Sequence, residues 1–71
     1  MTSERTLVVG EYLFREGESA EFAYIIKSGV IEVVKSGLDG EIVLAEIKPG
    51  SLFGEMALID GSPRSASARA K

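Results

Sequence analysis

Eight glycines divide this chain into short apolar runs, and that division leaves few folds open to it. No run between them forms a convincing long helix. Runs of this length, rich in β-branched and aromatic residues and bounded by turn residues, are typical of strands. The glycines are Gly10, Gly17, Gly29, Gly37, Gly40, Gly50, Gly54 and Gly61. The predicted strands are 11–14, 22–27, 30–35 and 41–47.

The turns between these runs indicate antiparallel pairing. Residues 27–29 separate the second and third predicted strands by only a few positions, which predicts a hairpin. Asp39 and Gly40 are a strong hairpin signal between the third and fourth strands, and Pro49 followed by Gly50 fits a type II turn. Short strands joined by such turns predict an all-β sandwich or barrel rather than parallel βαβ units.

Two of the predicted strands carry apolar side chains on both faces. Strict alternation along 41–47 places Ile42, Leu44 and Glu46 on one face and leaves apolar residues on the other. The strand 30–35 has the same mixed character. This pattern is expected where a sheet packs on a second sheet or encloses a ligand.

The last third of the chain has weaker secondary-structure signals. Residues 55–59 predict a turn or two of helix, which the turn at 60–63 would end. The apolar side chains of this short helix are expected to lie in the core: Met56, Leu58 and Ile59. Residues 62–71 are rich in serine and alanine, and this composition predicts a frayed tail.

The residue types that the sequence lacks exclude several kinds of site. Without cysteine or histidine there is no disulfide, no Ser-His-Asp triad, no thiolate nucleophile and no Cys/His zinc site, although an oxygen-only metal site remains possible. A net charge of −3 disfavours a non-specific nucleic-acid binder. No apolar run approaches the ~20 residues that span a bilayer, and residues 1–5 do not begin a secretory signal. We therefore expect a cytoplasmic protein.

The segment 51–68 has the residues of a phosphate cradle. Gly54 permits close approach of a ligand to the backbone, and the N–H groups at the start of the short helix are free to donate. Arg64 offers a planar fork that matches phosphate oxygens, and Ser65 adds a hydroxyl donor beside it. The carboxylate of Glu55 is a good acceptor for a ribose hydroxyl. The combination therefore suits a sugar phosphate better than a bare phosphate.

Each of these residues also has a plainer interpretation when it is taken alone. A glycine followed by glutamate is usually a turn with a solvated acid. Arg64 alone is more often a surface arginine, or an ion-pair partner of Glu55 or Asp60, and Ser65 alone is nearly uninformative. Only the ordered combination favours a site.

The order of residues from Phe53 to Ala66 is the most specific feature of the sequence. It reads Phe-Gly-Glu-Met-Ala-Leu, a short turn, and then Pro-Arg-Ser-Ala. It resembles the phosphate-binding cassette of cyclic nucleotide-binding domains, the family of catabolite activator protein and other Crp/Fnr-like regulators. The segments 10–17, 23–29 and 49–50 also look like this family, so the resemblance covers roughly residues 8–71. We refer to residues 53–68 as the cassette.

The resemblance implies a role for each matching residue. Arg64 would hold the cyclic phosphate with help from Ser65 and the backbone N–H of Ala57, and Glu55 would accept the ribose 2′-hydroxyl. Threonine after the arginine is associated with preference for cyclic GMP, so Ser65 implies cyclic AMP as the ligand, with cyclic GMP possible. The backbone of Gly54 and Met56 would lie close to the ribose. The strand residues Val33 and Leu44 would line the pocket near the base.

The resemblance also sets an expectation for the extent of the domain. A full family member continues with further jelly-roll strands and a helix that caps the base, whereas this chain stops at Lys71. We therefore expect residues 1–71 to form an incomplete antiparallel jelly-roll β-sandwich or barrel, mainly all-β, with one short helix in the cassette. Open sheet edges are then expected to cause self-association into a dimer, and ligand binding without the cap is expected to be weak.

Two functions from different classes remain open at this point. The first is a regulatory module that binds a cyclic nucleotide without a metal and does no chemistry on it. The second is a structural or protein-interaction jelly roll that keeps the fold and binds no nucleotide. An enzyme of the related cupin shape is disfavoured, because such enzymes usually hold a metal through histidines and this sequence has none.

Overall fold

Glycine-bounded runs of β-branched and aromatic residues form the strands of this protein, as the sequence predicts. The structure is a computed structural model that describes residues 4–71. In chain order its elements are β1 (Tyr12–Phe14), β2 (Tyr24–Ile25), β3 (Ile31–Gly37), β4 (Gly40–Ile47), β5 (Leu52–Phe53), α1 (Glu55–Asp60) and β6 (Ser67–Ala70). The strands form two antiparallel sheets, of order β1-β6-β3-β4 and β2-β5. The predicted class, a mainly β antiparallel fold with one short helix, is confirmed.

The two predicted hairpins have opposite outcomes. The turn at Asp39 and Gly40 joins β3 to β4 as predicted, and the pairing runs from Gly37 opposite Gly40 to Ile31 opposite Ile47. The hairpin predicted at 27–29 is wrong, because β2 pairs with β5 and not with β3. The turn instead carries the chain from one sheet to the other, and the free edge of β3 is taken by β6 from the far end of the sequence.

The frayed tail predicted for residues 62–71 is also wrong. Residues Ser67–Ala70 form β6, which lies between β1 and β3 in the larger sheet. Ala68 is fully buried and lies opposite both Phe14 and Val33. A strand that lies between larger side chains needs small residues of its own. The serine and alanine content that predicted a tail is therefore the composition of a strand in the middle of the sheet.

A β-bulge at Leu44 interrupts the alternation that the sequence predicts for the fourth strand. Val33 lies opposite Ala45, whereas the next residue, Val34, lies opposite Val43, so Leu44 has no counterpart on β3. A bulge adds one residue to one strand, and the two-residue alternation does not continue through it. Ile42 and Leu44 are consequently not members of one regular face.

The core is a small cluster between the two sheets. Its buried members are Ile26, Ile31, Phe53 and Ala68. Partly buried rings of Phe14 and Tyr24 pack against this cluster, and the centroids of Phe14, Tyr24 and Phe53 lie 5.7–6.3 Å from one another. These tilted rings pack together beneath the later residues of the cassette, and Arg64 lies over the ring of Phe14.

The predicted burial of the helix side chains is wrong. Helix α1 buries none of its residues, and Met56, Leu58 and Ile59 are 63%, 41% and 75% exposed. The helix has only six residues between two glycines in the left-handed conformation, Gly54 and Gly61, and no described element covers its outer side. No helix within residues 4–71 is long and apolar enough to cross a membrane.

Ion pairs cover one face of the larger sheet. Arg69 on β6 donates to Glu32 on β3, to Glu41 on β4 and to the hydroxyl of Tyr12 on β1. The hydrogen bonds from Tyr12 and Arg69 hold the pKa of the Glu41 carboxyl below its usual range. This face is therefore polar, and its strands are cross-linked by side-chain hydrogen bonds.

Candidate functional site

A concavity of about 280 Å³ lies between the inner side of β3, the end of β5 and the cassette. Its walls are mostly apolar, with a few polar groups from the cassette, as is usual for small-molecule sites. The structure brings together seven of the eight residues that the sequence assigns to a binding site: Val33, Gly54, Glu55, Met56, Ala57, Arg64 and Ser65.

Leu44 is the assigned residue that does not line this concavity. Its side chain is 55% exposed at the β4 bulge. The strand residues of the larger sheet that line the concavity are Val33 on β3 and Ile47 at the end of β4. The sequence argument missed Ile47, because the bulge that shifts the β4 register leaves no signal in the pattern of apolar residues.

Gly54 is required at its position for two reasons. Its φ of 81° lies in the left-handed region, where it ends β5 and caps α1 without a side-chain hydrogen bond. A Cβ placed on Gly54 would also lie 2.8 Å from Nη1 of Arg64. The close approach of the arginine to this part of the backbone therefore depends on the missing side chain.

The guanidinium of Arg64 is buried between the backbone of Gly54 and the ring of Phe14. It is 5% exposed, and it donates from Nη1 to the carbonyl of Gly54 and from Nη2 to the carbonyl of Phe22, both at 2.6 Å. Its Cζ lies 4.0 Å from the ring centroid of Phe14, a cation–π distance, and 6.0 Å from that of Tyr24. The buried Nε has no hydrogen-bond partner.

The backbone of Arg64 is fixed as firmly as its side chain. Its N–H donates to the carbonyl of Glu18, and its carbonyl accepts from the N–H of Gly17, each at 2.8 Å. Gly17 has a φ of 90°, so the loop after β1 can turn back to meet the cassette. Residues of this loop were not assigned to the site from the sequence, and the glycine at position 17 is the sequence feature that could have indicated a turn there.

The charge of Arg64 has no acidic counterpart among residues 4–71. The ion pair with Glu55 or Asp60 that the sequence leaves open does not form. Asp60 instead accepts from the N–H of Ser62 at 2.9 Å, and hydrogen bonds from Ser62 lower the pKa of the Asp60 carboxyl. A buried cation without a carboxylate attracts an anion, since burial without a partner is costly.

The remaining polar residues of the site surround this cation. Glu55 begins α1 and is half-buried at the wall, with no ion pair among the described residues. Ser65 is exposed, so its hydroxyl is accessible to a ligand. Within residues 4–71 no cluster of three or more acidic, histidine or cysteine side chains could hold a metal ion. The site thus combines one cation, one carboxylate and one hydroxyl on an apolar wall.

This chain is similar in sequence and in fold to known proteins. The family model described as "Cyclic nucleotide-binding domain" matches residues 4–71. A cAMP-dependent protein kinase regulatory subunit from Emericella nidulans is 40% identical over 62 residues, which are 87% of this chain and 15% of that protein. A cyclic AMP receptor protein from Thermus thermophilus is 42% identical over 60 residues, which are 83% of this chain and 28% of that protein.

Solved structures agree with the sequence comparison. The cAMP-bound and cGMP-bound forms of the EAL enzyme Bd1971 superpose with TM-scores of 0.82 and 0.83, at 42% identity, over 87% of this chain and 17% of theirs. This chain therefore spans less than a third of the length of each of these proteins.

Proposed function

This chain belongs to the cyclic nucleotide-binding domain family, and from that membership we propose that it is a regulatory module that binds cyclic AMP. The single observation that carries the proposal is the buried guanidinium of Arg64, which lines the concavity without a carboxylate partner in the described chain. A cyclic phosphate supplies the missing negative charge, and its two free oxygens can accept from the planar arginine fork.

The other cassette residues have complementary roles in this proposal. Ser65 donates its hydroxyl to the phosphate, and the backbone N–H of Ala57 adds a second donor. Glu55 accepts the ribose 2′-hydroxyl, while the backbone of Gly54 and Met56 lies beside the sugar.

Apolar strand residues contact the base in the same proposal. Val33 lines the concavity on the side of the larger sheet, so we place the base against it. The exposed Leu44 would reach the base only from the rim of the site. With Ser65 rather than threonine after the arginine, cyclic AMP is the proposed ligand and cyclic GMP the weaker one.

The module acts by differential affinity and not by catalysis. A ligand shifts a conformational equilibrium only by as much as its affinity differs between the two conformations. Helix α1 buries none of its residues, so we propose that the ligand selects one arrangement of α1 and the rest of the cassette. The residues of the concavity include no histidine or cysteine, and we propose no metal and no reaction. We also propose a cytoplasmic location and no nucleic-acid binding by this chain.

Titration calorimetry with cyclic AMP, cyclic GMP and 5′-AMP tests the function directly. The proposal expects saturable heat for cyclic AMP, weaker binding of cyclic GMP, and weaker binding again of the open-chain nucleotide. An absence of heat with all three ligands at millimolar concentration would contradict it.

One observation favours a second candidate, a structural domain that binds no nucleotide. Both terminal nitrogens of Arg64 already donate to backbone carbonyls, and its plane lies on Phe14. An arginine in this position stabilises the cassette even without a ligand. The calorimetric titration separates the two candidates, because only the first requires heat of binding.

The role of Glu55 gives a prediction of its own. We expect Glu55→Gln to weaken cyclic AMP binding about 10-fold, because a hydrogen bond to a charged acceptor contributes about 1.5–3 kcal/mol. The same substitution should leave the affinity for 2′-deoxy cyclic AMP nearly unchanged, since that ligand lacks the hydroxyl. Glu21→Gln, at an exposed loop position outside the concavity, is the matched control. Equal losses for both ligands would contradict a ribose contact.

The free edge of β4 supports a prediction of self-association. Among residues 4–71 this strand pairs only with β3, and it exposes an apolar run: Ile42, Val43 and Leu44. Its two acidic residues are neutralised within the chain, Glu41 by Arg69 and Glu46 by Lys71. Charged side chains on an edge strand usually prevent it from pairing with another chain, and here those charges are neutralised. We therefore propose that a second copy of the chain adds to this edge.

Light scattering during size-exclusion chromatography measures this association. We expect a dimer at high protein concentration, and a monomer for Val43→Lys, which places a charge in the middle of the edge. Leu38→Lys adds the same charge at the exposed tip of the hairpin and should leave the dimer intact. A wild-type monomer at every concentration would overturn the prediction.

A further inference from the structure

Three segments of the chain meet at Lys35, close to the cassette but outside the concavity. The ammonium of Lys35, near the end of β3, donates to the carbonyl of Ser65 at 2.7 Å and to Oε2 of Glu16 at 3.1 Å. Oε1 of Glu16 accepts from the backbone N–H of Ser36 at 3.3 Å. We refer to Glu16, Lys35, Ser36 and Ser65 as the Lys35 clasp.

Glu16 is itself held in place within the clasp. Its backbone N–H donates to Oγ of Ser67 at 2.8 Å, at the start of β6. The hydrogen bond from the Ser36 N–H, and then the one from Lys35, lower the pKa of the Glu16 carboxyl. The carboxylate is thus charged at neutral pH and orients the ammonium beside it.

Lys35 differs from the other lysines of residues 4–71 in what it contacts. The ammonium groups of Lys27 and Lys71 donate to carboxylates, whereas that of Lys35 is the one described lysine ammonium that also donates to a backbone carbonyl. That carbonyl belongs to Ser65, which follows Arg64 and lines the concavity. Because the backbone N–H and carbonyl of Arg64 are tied to the loop after β1, Lys35 supplies the next fixed point along the same segment.

We propose that Lys35 is a positioning residue for phosphate binding, which it supports by fixing the peptide group that follows Ser65. This inference rests on the proposed function of the site. With the carbonyl of Ser65 held, the Ser65 hydroxyl and the Arg64 side chain keep one direction relative to the concavity. Lys35 acts through this geometry and not through its charge, since Glu16 already neutralises the ammonium.

The test compares three variants of the full chain in a titration with cyclic AMP. We expect Lys35→Met, which keeps the length of the side chain but cannot donate, to weaken binding about 10-fold, because loosely supported binding groups lose affinity. Lys35→Arg restores a donor and should recover most of the affinity. Lys48→Met removes the same charge from an exposed lysine without an ion pair in the described chain, and should bind as the wild type does.

Nuclear magnetic resonance of the ligand-free chain gives a readout that does not depend on binding. The carbonyl carbon of Ser65 and the amide of Ala66 share the peptide group that Lys35 holds, so both resonances should move in Lys35→Met, return towards their places in Lys35→Arg, and stay in Lys48→Met. Resonances that do not move, or a loss of affinity that Lys48→Met reproduces, would overturn the inference. A wild-type chain that binds no cyclic AMP would contradict the proposed function and, with it, the role of Lys35 in affinity. The resonances would still show whether Lys35 holds the carbonyl of Ser65.

Discussion

Arg64→Ala is expected to lower the affinity for cyclic AMP by about 100-fold or more. Two charge-assisted hydrogen bonds, at about 1.5–3 kcal/mol each, account for a loss of this size, since 1.4 kcal/mol corresponds to a factor of about 10. The effect is large because Arg64 is 5% exposed and is the cation of the concavity without an ion pair among the described residues. No neighbouring side chain in the described site can replace its charge.

The alanine variant also loses stability, which the experiment must separate from binding. Without Arg64 the part-buried carbonyls of Gly54 and Phe22 lose their hydrogen bonds from the guanidinium, and a hydrogen bond to a charged group contributes about 1.5–3 kcal/mol. Arg64→Lys is the second variant, since it keeps the charge but not the fork that reaches both carbonyls. We expect it to fold and to bind about 10-fold more weakly than the wild type.

Calorimetry and thermal unfolding of the same samples provide the measurement. Arg15→Ala is the control, because Arg15 is exposed and its guanidinium lies over Tyr12 instead of in the concavity. It should bind cyclic AMP with wild-type affinity. If folded Arg64 variants bind cyclic AMP as tightly as the Arg15 control does, the assignment of Arg64 to the phosphate site is wrong.

Removal of residues 67–71 is expected to abolish the fold. This truncation deletes β6, and β6 is the sheet partner of β1 and one of two partners of β3. It also removes Ala68 from the core cluster and the backbone hydrogen bonds that Ala70 shares with the segment before β1. A chain of 71 residues has a small core to begin with, so we expect the loss to exceed its stability of a few kcal/mol.

A shorter truncation serves as the control for this experiment. Removal of Lys71 alone deletes its bond to the carbonyl of Val30 and its ion pair with Glu46, but leaves β6 complete. We expect this variant to keep the circular dichroism and the dispersed amide spectrum of the wild type. A dispersed spectrum for the chain that ends at residue 66 would show that the strand is dispensable, contrary to this prediction.

Local signals in the sequence were sufficient for the parts of the fold that form between neighbours in the chain. Asp39 and Gly40 identify the β3–β4 hairpin because the turn chemistry and both strands lie within a few residues of one another. The order of residues from Gly54 to Ser65 likewise identifies the cassette, because the close approach of Arg64 to the glycine backbone needs both residue types at that spacing.

Pairings between distant segments could not be predicted in the same way. The serine- and alanine-rich residues of β6 carry little strand propensity, and their place is decided by Phe14 and Val33 on either side. The apolar residues of α1 predicted burial, but burial requires a covering element, and no described residue provides one. The packing of Arg64 on Phe14, and the loss of Leu44 from the wall at a bulge, depend on the same long-range contacts.

The central place of β6 has a consequence for the order of events during synthesis. Tyr12 on β1 and Arg69 on β6 are 57 positions apart in the chain, and β6 is the strand with which β1 pairs. During synthesis β1 must therefore wait, without this partner, until residues 67–70 have also emerged from the ribosome. Folding that depends on such distant contacts is slow and leaves apolar segments open to other chains in the meantime. The synthesis of β6 is thus the event that completes this sheet, and the Arg64 site just before β6 is completed with it.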